Sequence, residues 1–257
     1  MIALFTDFGL EGPYIGQMKA VLHRLAPAVP VFDLFADLPP FDPQAAAYLL
    51  AAYAPELPTG TVLLCVVDPG VGGSRRPAAV EADGRLYVGP DNGLFEIVVR
   101  RADAARWWEI LWRPERLSAS FHGRDVFAPI AARLARGERL PDDAADAVPA
   151  EDGEPPLGAP RPLALLRRPE WPDDLARIVY VDRFGNAMTG LRAASLEPTA
   201  TLVAGRHRLG AARTFGDVEP GAAFWYANAN GLAEIAVNQG RADAALGIGV
   251  GTPVEVV

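Results

Sequence analysis

The residues best suited to chemistry in this sequence lie in short polar clusters that follow predicted strands. Each cluster combines glycine with an acid, a histidine or an amide; the clusters are Thr6-Asp7-Phe8-Gly9, Val67-Asp68-Pro69-Gly70, Phe121-His122-Gly123-Arg124-Asp125, Asp182-Arg183-Phe184-Gly185-Asn186 and Asn228-Ala229-Asn230-Gly231. In open α/β sheets, ligands bind outside the carboxyl ends of the strands. These clusters are therefore the candidates for a binding or catalytic site.

Asp7 directly follows the first predicted strand. A carboxylate in that position can accept hydrogen bonds from both hydroxyls of a ribose. An aspartate turn or a helix cap explains the same residue without a ligand. Both interpretations of Asp7 stay open from this cluster alone.

Asp68 is carried by an apolar strand into a glycine-rich turn that ends in Arg75 and Arg76. The turn lacks the Gly-Lys-Ser/Thr ending of a Walker loop, and it does not match the dinucleotide fingerprint. Its glycines let the chain fold back so that an arginine reaches Asp68. A mostly buried aspartate–arginine pair is costly to desolvate, which favours a functional site. An ordinary structural ion pair is the alternative, and either arginine fits the pattern.

His122 stands between an aromatic residue and a glycine, just ahead of a predicted helix. Histidine is the usual general base near neutral pH. A capping or core histidine is the alternative interpretation. The other two histidines, His23 in a predicted helix and His207 in a turn-rich segment, are interpreted as structural.

The C-terminal part of the chain carries its own polar groups at strand ends. Asp182, Phe184 and Asn186 end one predicted strand, and Asn228 and Asn230 lie between two others. Such Asx-Gly segments are usually turns. The same aspartate and asparagine side chains, next to aromatic residues, would also suit an adenine and a zwitterionic amino acid.

Composition excludes several function classes. The 257-residue chain is 50% hydrophobic, but its apolar runs fall far short of the about 20 residues that span a bilayer. We do not expect its first residues to form a signal peptide. A formal net charge of -8 disfavours a nucleic-acid partner, and the single cysteine fits a reducing cytoplasm. The scattered histidines predict no metal site. Lys19, the only lysine, lies in no lysine-based catalytic motif.

The elements that must position these clusters change character along the chain. Apolar strands alternate with helices over residues 1–140, which predicts an α/β N-terminal domain with a largely parallel central sheet. The segment 141–170 is rich in Pro, Asp, Glu and Ala, and we predict a linker or a long surface loop there. Short β-rich runs separated by turn residues predict a small all-β C-terminal domain over residues 171–257, either barrel-like or a sandwich.

Taken together, the clusters resemble the adenosine-forming S-adenosyl-L-methionine (SAM) hydrolases, also called SAM hydroxide adenosyltransferases, which are related to the fluorinating and chlorinating SAM enzymes. The resemblance spans essentially the whole chain. It also rests on Gly89-Pro90-Asp91-Asn92-Gly93 and on the stretch from Asn228 to Asn238. No single motif is decisive, but the motifs in this order are specific.

The resemblance implies a reaction in which SAM and water give adenosine and L-methionine, with SAM as substrate and no cofactor. It implies a homotrimer in which the site lies between the N-terminal domain of one subunit and the C-terminal domain of its neighbour. Asp68, Arg75 and His122 would handle the water. Asp7 would hold the ribose hydroxyls, and Asp182 the methionine ammonium. The full set of implied substrate-binding residues is Asp7, Phe8, Phe41, Asn92, Gly123, Asp182, Phe184, Asn186, Asn228, Asn230 and Asn238.

Two other functions compete with hydrolysis. A SAM halogenase would carry an aromatic residue at the position of Asp68, and the fluorinating enzymes carry serine at the position of Gly123. A carboxylate close to a halide opposes its binding, so these two positions favour water. A non-catalytic SAM or adenosine sensor would need no Asp68-Arg75-His122 set. Ala229 and Asn230 replace the serine and arginine of relatives in the loop that holds the methionine carboxylate, so the resemblance assigns no residue to that group.

Overall fold

In the computed structural model, which describes residues 1–149, 153 and 155–257, the chain divides into two units. The first unit contains Met1–Leu50 and Leu57–Pro169. The second contains Ala51–Glu56 and Glu170–Val257. Each unit has its own sheets and its own buried core, and each carries some of the polar clusters.

The centre of the first unit is a seven-stranded sheet. Its strands are β1 (Ile2–Thr6), β2 (Val31–Phe35), β3 (Val62–Val66), β4 (Pro77–Ala82), β5 (Arg85–Pro90), β6 (Ala105–Ile110) and β7 (Gly158–Arg161). Their order in the sheet is β2-β1-β3-β5-β4-β6-β7. The first four strands in that order are parallel, and the remaining pairs are antiparallel. The sheet is therefore mixed, and its parallel half carries the N-terminal clusters.

Helices cover this sheet because their apolar residues recur at helical spacing. They are α1 (Tyr14–Leu25), α2 (Pro43–Tyr53), α3 (Glu96–Arg101) and α4 (Ala128–Ala135), and a π-helical turn (Gly123–Phe127) leads into α4. In α1, for example, Ile15, Met18 and Leu22 are buried. β1 and β3 are buried along their whole length, as expected for parallel strands covered on both faces.

The predicted α/β architecture is confirmed, and β4 and β5 form a hairpin around Asp83-Gly84. β6 and β7 have no strand signal in the sequence that led to their prediction. Because β7 lies within segment 141–170 and pairs with β6, the first unit extends to Pro169. Trp107 and Trp108 of β6 donate indole hydrogen bonds to the carbonyls of Pro162 and Pro141, which anchors that segment at two points. Residues 150–152 and 154 of the segment lie outside the described residues.

The second unit is built from two antiparallel sheets, which confirms the all-β prediction. Its strands are β8 (Leu175–Val181), β9 (Ala187–Arg192), β10 (Leu202–Ala204), β11 (His207–Leu209), β12 (Ala223–Ala227), β13 (Leu232–Val237) and β14 (Val254–Val256), with one short helix, α5 (Ala242–Leu246). One sheet has the order β12-β13-β9-β8 and the other β11-β10-β14. Ile178, Trp225 and Ile235 are buried in its core. Across the described part of the chain, no helix is both long enough and apolar enough to cross a membrane.

Candidate active site

A cavity of about 370 Å³ lies at the carboxyl edge of the parallel strands in the first unit. Asp7 directly follows β1, and Asp68 comes two residues after the end of β3. These two strands pair in parallel, with Thr6 opposite Val66, so the two carboxylates emerge at the same edge. The cavity is lined by Asp7, Phe8, Tyr14, Pro40, Phe41, Val66, Asp68, Val71, Ser120, Phe121, His122 and Gly123.

The three residues expected to handle water are in mutual contact. Nε of Arg75 donates hydrogen bonds to both carboxylate oxygens of Asp68 at 3.0 Å, and its Nη2 donates to Oδ2. The same Nη2 lies 2.9 Å from Nδ1 of His122. Only 10% of the Arg75 side chain and 5% of the Asp68 side chain are exposed. Because this ion pair and its histidine contact are largely shielded from water, each electrostatic interaction among the three side chains is stronger than it would be in solvent.

The hydrogen bond from Arg75 fixes the protonation of His122. Arginine only donates, so Nδ1 of His122 is the acceptor and the proton of the neutral imidazole lies on Nε2. Burial lowers the pKa of His122 from its usual 6.5, and the positive charge of Arg75 lowers it further, against an opposing contribution from Asp68. His122 is therefore neutral at pH 7.

Of the two adjacent arginines, Arg75 is the partner of Asp68. Arg76 instead donates to Oδ2 of Asp91 from Nε at 2.8 Å and from Nη2 at 2.6 Å. Its Nη2 also donates to the carbonyl of Leu165 at 2.9 Å. The sequence left open whether Arg75 or Arg76 pairs with Asp68, and the contact of Arg76 with Asp91 decides for Arg75.

Asp7 is organised by the backbone of Phe41, whose N–H donates to Oδ2 of Asp7 at 3.1 Å. Burial raises the pKa of Asp7, the hydrogen bond from Phe41 lowers it, and the charge of Asp68 makes a smaller raising contribution. Phe41 has a φ of 62° and is 76% exposed. A non-glycine residue in this left-handed conformation is strained, and such strain clusters at functional sites.

Aromatic rings form one wall of the same cavity. The ring of Phe8 lies 5.7 Å from that of Tyr14 and 5.9 Å from that of Phe121, and Tyr14 and Phe121 are 5.5 Å apart. Gly123 is buried beside this group, and a Cβ there would lie 3.4 Å from both Met18 and Phe121. The wall is therefore apolar and offers no hydroxyl donor from position 123.

Asn92 has a different location from the other candidate residues of this unit. Its Nδ2 donates to the carbonyl of Val67 at 2.8 Å, and its Oδ1 accepts from the N–H of Leu94 at 3.3 Å. Both contacts are with the protein, and the residues that line the cavity do not include Asn92. The structure therefore places Asn92 behind the Asp68 turn.

A second cavity, of about 670 Å³, lies in the second unit. It is lined by Asp182, Phe184, Asn186, Phe215, Tyr226, Glu234, Val237, Gln239, Gly240 and Arg241. Oδ1 of Asp182 accepts from the N–H groups of Phe184 and Asn186, both at 2.9 Å. The turn requires Gly185, whose φ is 84°.

Asn186 and Glu234 give this cavity its polar character. In the described part of the chain, the buried Oδ1 of Asn186 has no hydrogen-bond partner, which is unusual for a buried acceptor. Glu234 accepts from Oη of Tyr226 at 2.6 Å and from Nδ2 of Asn228 at 2.9 Å. Burial raises the pKa of Glu234, and it also raises the pKa of Tyr53, to about 12.

Three predicted substrate-binding asparagines lie outside the lining of this cavity. Oδ1 of Asn228 accepts from the N–H groups of Asn230 and Leu232 at 3.0 Å and so organises its own turn. Nδ2 of Asn238 donates to the carbonyl of Val218 at 2.7 Å. A role for Asn228, Asn230 or Asn238 in substrate binding stays a prediction.

Several residues that line the cavities were not among the predicted site residues. Tyr14 and Ser120 line the first cavity, and Phe215, Glu234 and Arg241 line the second. Glu234 had a sequence signal, because it is the only acid in an otherwise apolar strand. Phe215 begins a short 3-10 helical turn and Arg241 immediately precedes α5, and neither has a comparable signal.

The environment of Cys65 does not favour chemistry at its thiol. Cys65 is a buried free cysteine in β3, and burial raises the pKa of its thiol well above the usual value. A protonated thiol is a poor nucleophile. Among the described residues, no group of three His, Cys, Asp or Glu side chains is placed to hold a metal ion.

Comparisons with known proteins identify the family of the chain. The SAM hydroxide adenosyltransferase N-terminal domain matches residues 2–143, and the C-terminal domain of the same family matches residues 176–255. A protein named (R)-S-adenosyl-L-methionine hydrolase from Thermus thermophilus is 45% identical, over 100% of this chain and 99% of that protein. One of the same name from Salinispora arenicola is 40% identical, over 99% and 97%.

A solved structure supports the fold over its full length. It is of an uncharacterized conserved protein from Thermotoga maritima, 30% identical, with a TM-score of 0.79 and coverage of 100% of this chain and 99% of that one. Both domain models match in order, and the full-length relatives exceed 30% identity. The chain therefore belongs to the SAM hydroxide adenosyltransferase family.

Proposed function

We propose that this protein hydrolyses SAM to adenosine and L-methionine by attack of water on the ribose C5′. The observation that carries the proposal is the contact of Asp68, Arg75 and His122 at the wall of the first cavity. Relatives of 40–45% identity are named for this activity. The arrangement also matches what the reaction requires, which is an oriented water and a group that accepts its proton.

The reaction is an in-line displacement. The water oxygen forms a bond to C5′ while the bond from C5′ to the sulfonium sulfur breaks, and the electron pair of that bond stays on sulfur as the thioether of methionine. One water proton is lost to a protein base and then to solvent. The leaving group is neutral, so it needs no general acid, and alignment of a weak nucleophile limits the rate.

Asp68 is the residue that we assign as the proton acceptor. Nδ1 of His122 already accepts from Arg75, so His122 offers its Nε2–H and orients the water by donation. Asp68 lines the cavity and keeps acceptor lone pairs beyond those that Arg75 occupies. General-base assistance of this kind contributes about 10²–10⁴-fold to the rate.

The apolar wall of the first cavity favours this displacement. The sulfonium loses its positive charge as the C–S bond breaks, so a poorly solvating environment raises the ground state more than the transition state. Phe8, Tyr14 and Phe121 supply that environment. Asp7 would bind the ribose hydroxyls, with Phe41 against the sugar.

The second cavity would hold the amino acid and the base. Asp182 would bind the ammonium, and Glu234 is a second acid in the same cavity. The unpartnered Oδ1 of Asn186 would accept from the exocyclic amine of adenine, which is a donor. Phe184, which is 74% exposed, offers a ring face for the same base.

Arg241 is our candidate for the methionine carboxylate. It lines the second cavity and interacts electrostatically with Asp182, so an α-amino acid could span the two. Its guanidinium donates to Asp243 and to the carbonyl of Arg183. A guanidinium has five N–H groups, so donors remain for a carboxylate.

Arg241→Gln should lower kcat/KM for SAM at least about tenfold, the expected effect of losing a charged hydrogen bond. A SAM analogue in which hydrogen replaces the carboxylate should be turned over almost equally by wild type and variant. Steady-state kinetics with both substrates measures this, and Arg206→Gln, which removes the same charge elsewhere in the unit, serves as control. Equal losses on the two substrates would show that Arg241 does not bind the carboxylate.

A product assay with SAM in ¹⁸O water tests the reaction itself. We expect adenosine labelled at its 5′-hydroxyl and unlabelled L-methionine, because the water oxygen bonds to C5′. Repeating the assay with excess chloride or fluoride tests the halogenase alternative, against which Asp68 and Gly123 argue. If 5′-halo-5′-deoxyadenosine forms without adenosine, the protein is a halogenase and the hydrolase proposal is wrong.

We also propose that the enzyme is a homotrimer and that neighbouring subunits share each site, on the family resemblance. Light scattering should then give three times the 27.4 kDa mass of one chain. A cytoplasmic location stays a prediction from the single cysteine.

A further inference from the structure

We propose that Asp91 and Asn92 are positioning residues that clamp the two ends of the glycine-rich loop between Asp68 and Arg75. The proposal rests on the proposed function, since it explains how the Asp68–Arg75–His122 contact is held. Asp91 and Asn92 are consecutive residues of the turn that follows β5. Each holds a residue just outside the loop.

Asp91 holds the C-terminal end of the loop through Arg76. Two hydrogen bonds from Arg76 reach Oδ2 of Asp91, and the N–H of Asp91 donates to the carbonyl of Arg76 at 2.9 Å. Arg168 approaches the other carboxylate oxygen, Oδ1, at 3.3 Å. The Asp91 side chain is 2% exposed, so this end of the loop is anchored in the interior.

Asn92 holds the N-terminal end of the loop through Val67. Its Nδ2 donates to the carbonyl of Val67 at 2.8 Å, and Val67 is the residue before Asp68. Its Oδ1 accepts from the N–H of Leu94, which fixes the amide orientation. One turn therefore sets the position of both chain segments from which the catalytic ion pair projects.

The loop needs such anchors because its own sequence is flexible. Residues 70, 72 and 73 are glycine, and glycine loses more conformational freedom on ordering than any other residue. Within the loop, the backbone hydrogen bonds are those from Val71 to Asp68 and from Gly73 to Gly70. Because both ends of the loop are anchored, the backbone of Arg75 can occupy fewer positions.

The contact of Arg76 with Asp91 also decides the direction of Arg75. Arg76 directly precedes β4, and side chains of consecutive residues in extended chain point to opposite sides. With Arg76 on Asp91 and over the ring of Trp107 at 5.1 Å, Arg75 is directed to Asp68 and His122. Without Asp91, the charged partner that holds Arg76 on its side of the chain is lost, and the direction of Arg75 is no longer fixed.

Substitution at each end of the loop tests the clamp. Asp91→Asn removes the charge that holds Arg76 and keeps the shape of the side chain, and Asn92→Ala releases Val67. Arg76→Gln is a second variant for the Asp91 end, with Asp91 still paired to Arg168. We expect kcat for adenosine formation to fall at least about tenfold in all three variants, with KM within about threefold. If Asn92 instead contacted the substrate, Asn92→Ala would raise KM.

Glu96→Gln is the matched control for a merely structural effect. Glu96 is a fully buried acid in the same unit that pairs with Arg100 and Arg167, and the structure gives it no contact with residues 67–76. Thermal melting shows how much each variant is destabilised. If Glu96→Gln lowers kcat as much as Asp91→Asn at similar stability, the effect is general destabilisation and the clamp proposal is wrong.

The titration of His122 gives a readout that does not depend on turnover. The chain has three histidines, so imidazole proton NMR resolves them, and loss of one signal in His122→Gln assigns His122. Arg75 is among the causes that lower the pKa of His122. In Asp91→Asn, the midpoint of the His122 titration should therefore rise towards pH 6.5. Glu96→Gln should leave this titration midpoint unchanged. The signals of His23 and His207 serve as internal references.

The outcomes separate the clamp from the proposed function. Wild-type enzyme that makes no adenosine contradicts the proposed function, while the His122 midpoint still tests the clamp. Wild-type enzyme that makes adenosine, with variants that keep kcat and the His122 midpoint, contradicts the clamp alone. Loss of kcat together with a raised midpoint supports it.

Discussion

Asp68→Asn should lower kcat for adenosine formation at least about hundredfold, because it removes the group that accepts the proton of the attacking water. Asparagine keeps the shape of the side chain, but its amide is a far weaker base than a carboxylate. Since the proposed mechanism assigns Asp68 to the water and not to the adenine or the amino acid, the Kd for SAM should stay within about threefold. Single-turnover kinetics and calorimetric titration with SAM measure the two quantities separately.

Two further variants make this result interpretable. Asp68→Asn leaves Arg75 without its carboxylate partner, and breaking a nearly buried ion pair destabilises a protein by about 3–5 kcal/mol. His122→Gln removes a half-buried side chain without that effect, and it should also lower kcat at least about tenfold. Asp33→Asn removes a carboxylate paired with Lys19 at 2.6 Å, away from the cavity, and should leave kcat unchanged.

The same experiment decides between catalysis and sensing. If Asp68→Asn and His122→Gln keep the kcat of the wild type, Asp68 and His122 do not handle the water. If the wild type binds SAM tightly but never makes adenosine, the sensor interpretation is correct. Loss of turnover with retained binding is the result that the contact between these residues leads us to expect.

Gly72→Ala should have the next largest effect, because this position combines a left-handed backbone with a close approach to another segment. Gly72 has a φ of 77°, and a Cβ there would lie 2.5 Å from the carbonyl oxygen of Ala119. Ala119 lies in the segment that leads to His122, so relief of the clash separates the Asp68 loop from that segment. We expect at least a tenfold loss of kcat and destabilisation of more than about 1–2 kcal/mol, the contribution of backbone strain alone.

Gly137→Ala is the matched control for this prediction. Gly137 also has a positive φ, 94°, but a Cβ there would meet nothing within 4 Å. Chemical denaturation should show backbone strain of about 1–2 kcal/mol in Gly137→Ala, with normal kcat. If the two variants are equally stable and equally active, the close approach of Gly72 to Ala119 does not hold the site together.

Much of the first cavity was predictable because it follows from strand order along the chain. Asp7 and Asp68 each come after an apolar run, and parallel strands bring their carboxyl ends to one edge. The structure confirms that β1 and β3 are neighbours, which places both carboxylates in one cavity. His122 was predictable as a candidate by residue type, and the family resemblance grouped it with Asp68 and Arg75, but the atoms through which it contacts Arg75 were not predictable.

The contacts that the sequence could not predict are those between segments far apart in the chain. Arg75 and Arg76 are identical in type and adjacent, and only Asp91 distinguishes them. Asn92 matched a family motif that suggested substrate binding, yet its amide is engaged by Val67 and Leu94. β7 lies in a segment without periodicity and is strand only because β6 offers it a partner.

By itself, the sequence determined the chemistry that is available: which residues are acids, bases and glycines, and at which strand ends they stand. It also determined the two-part organisation, because apolar periodicity is a local property of the chain. The tertiary structure decided which arginine meets Asp68, which nitrogen of His122 is occupied and which asparagines face a cavity. Those choices depend on hydrogen bonds between residues distant in sequence, which form only when the packed sheet brings them within about 3 Å.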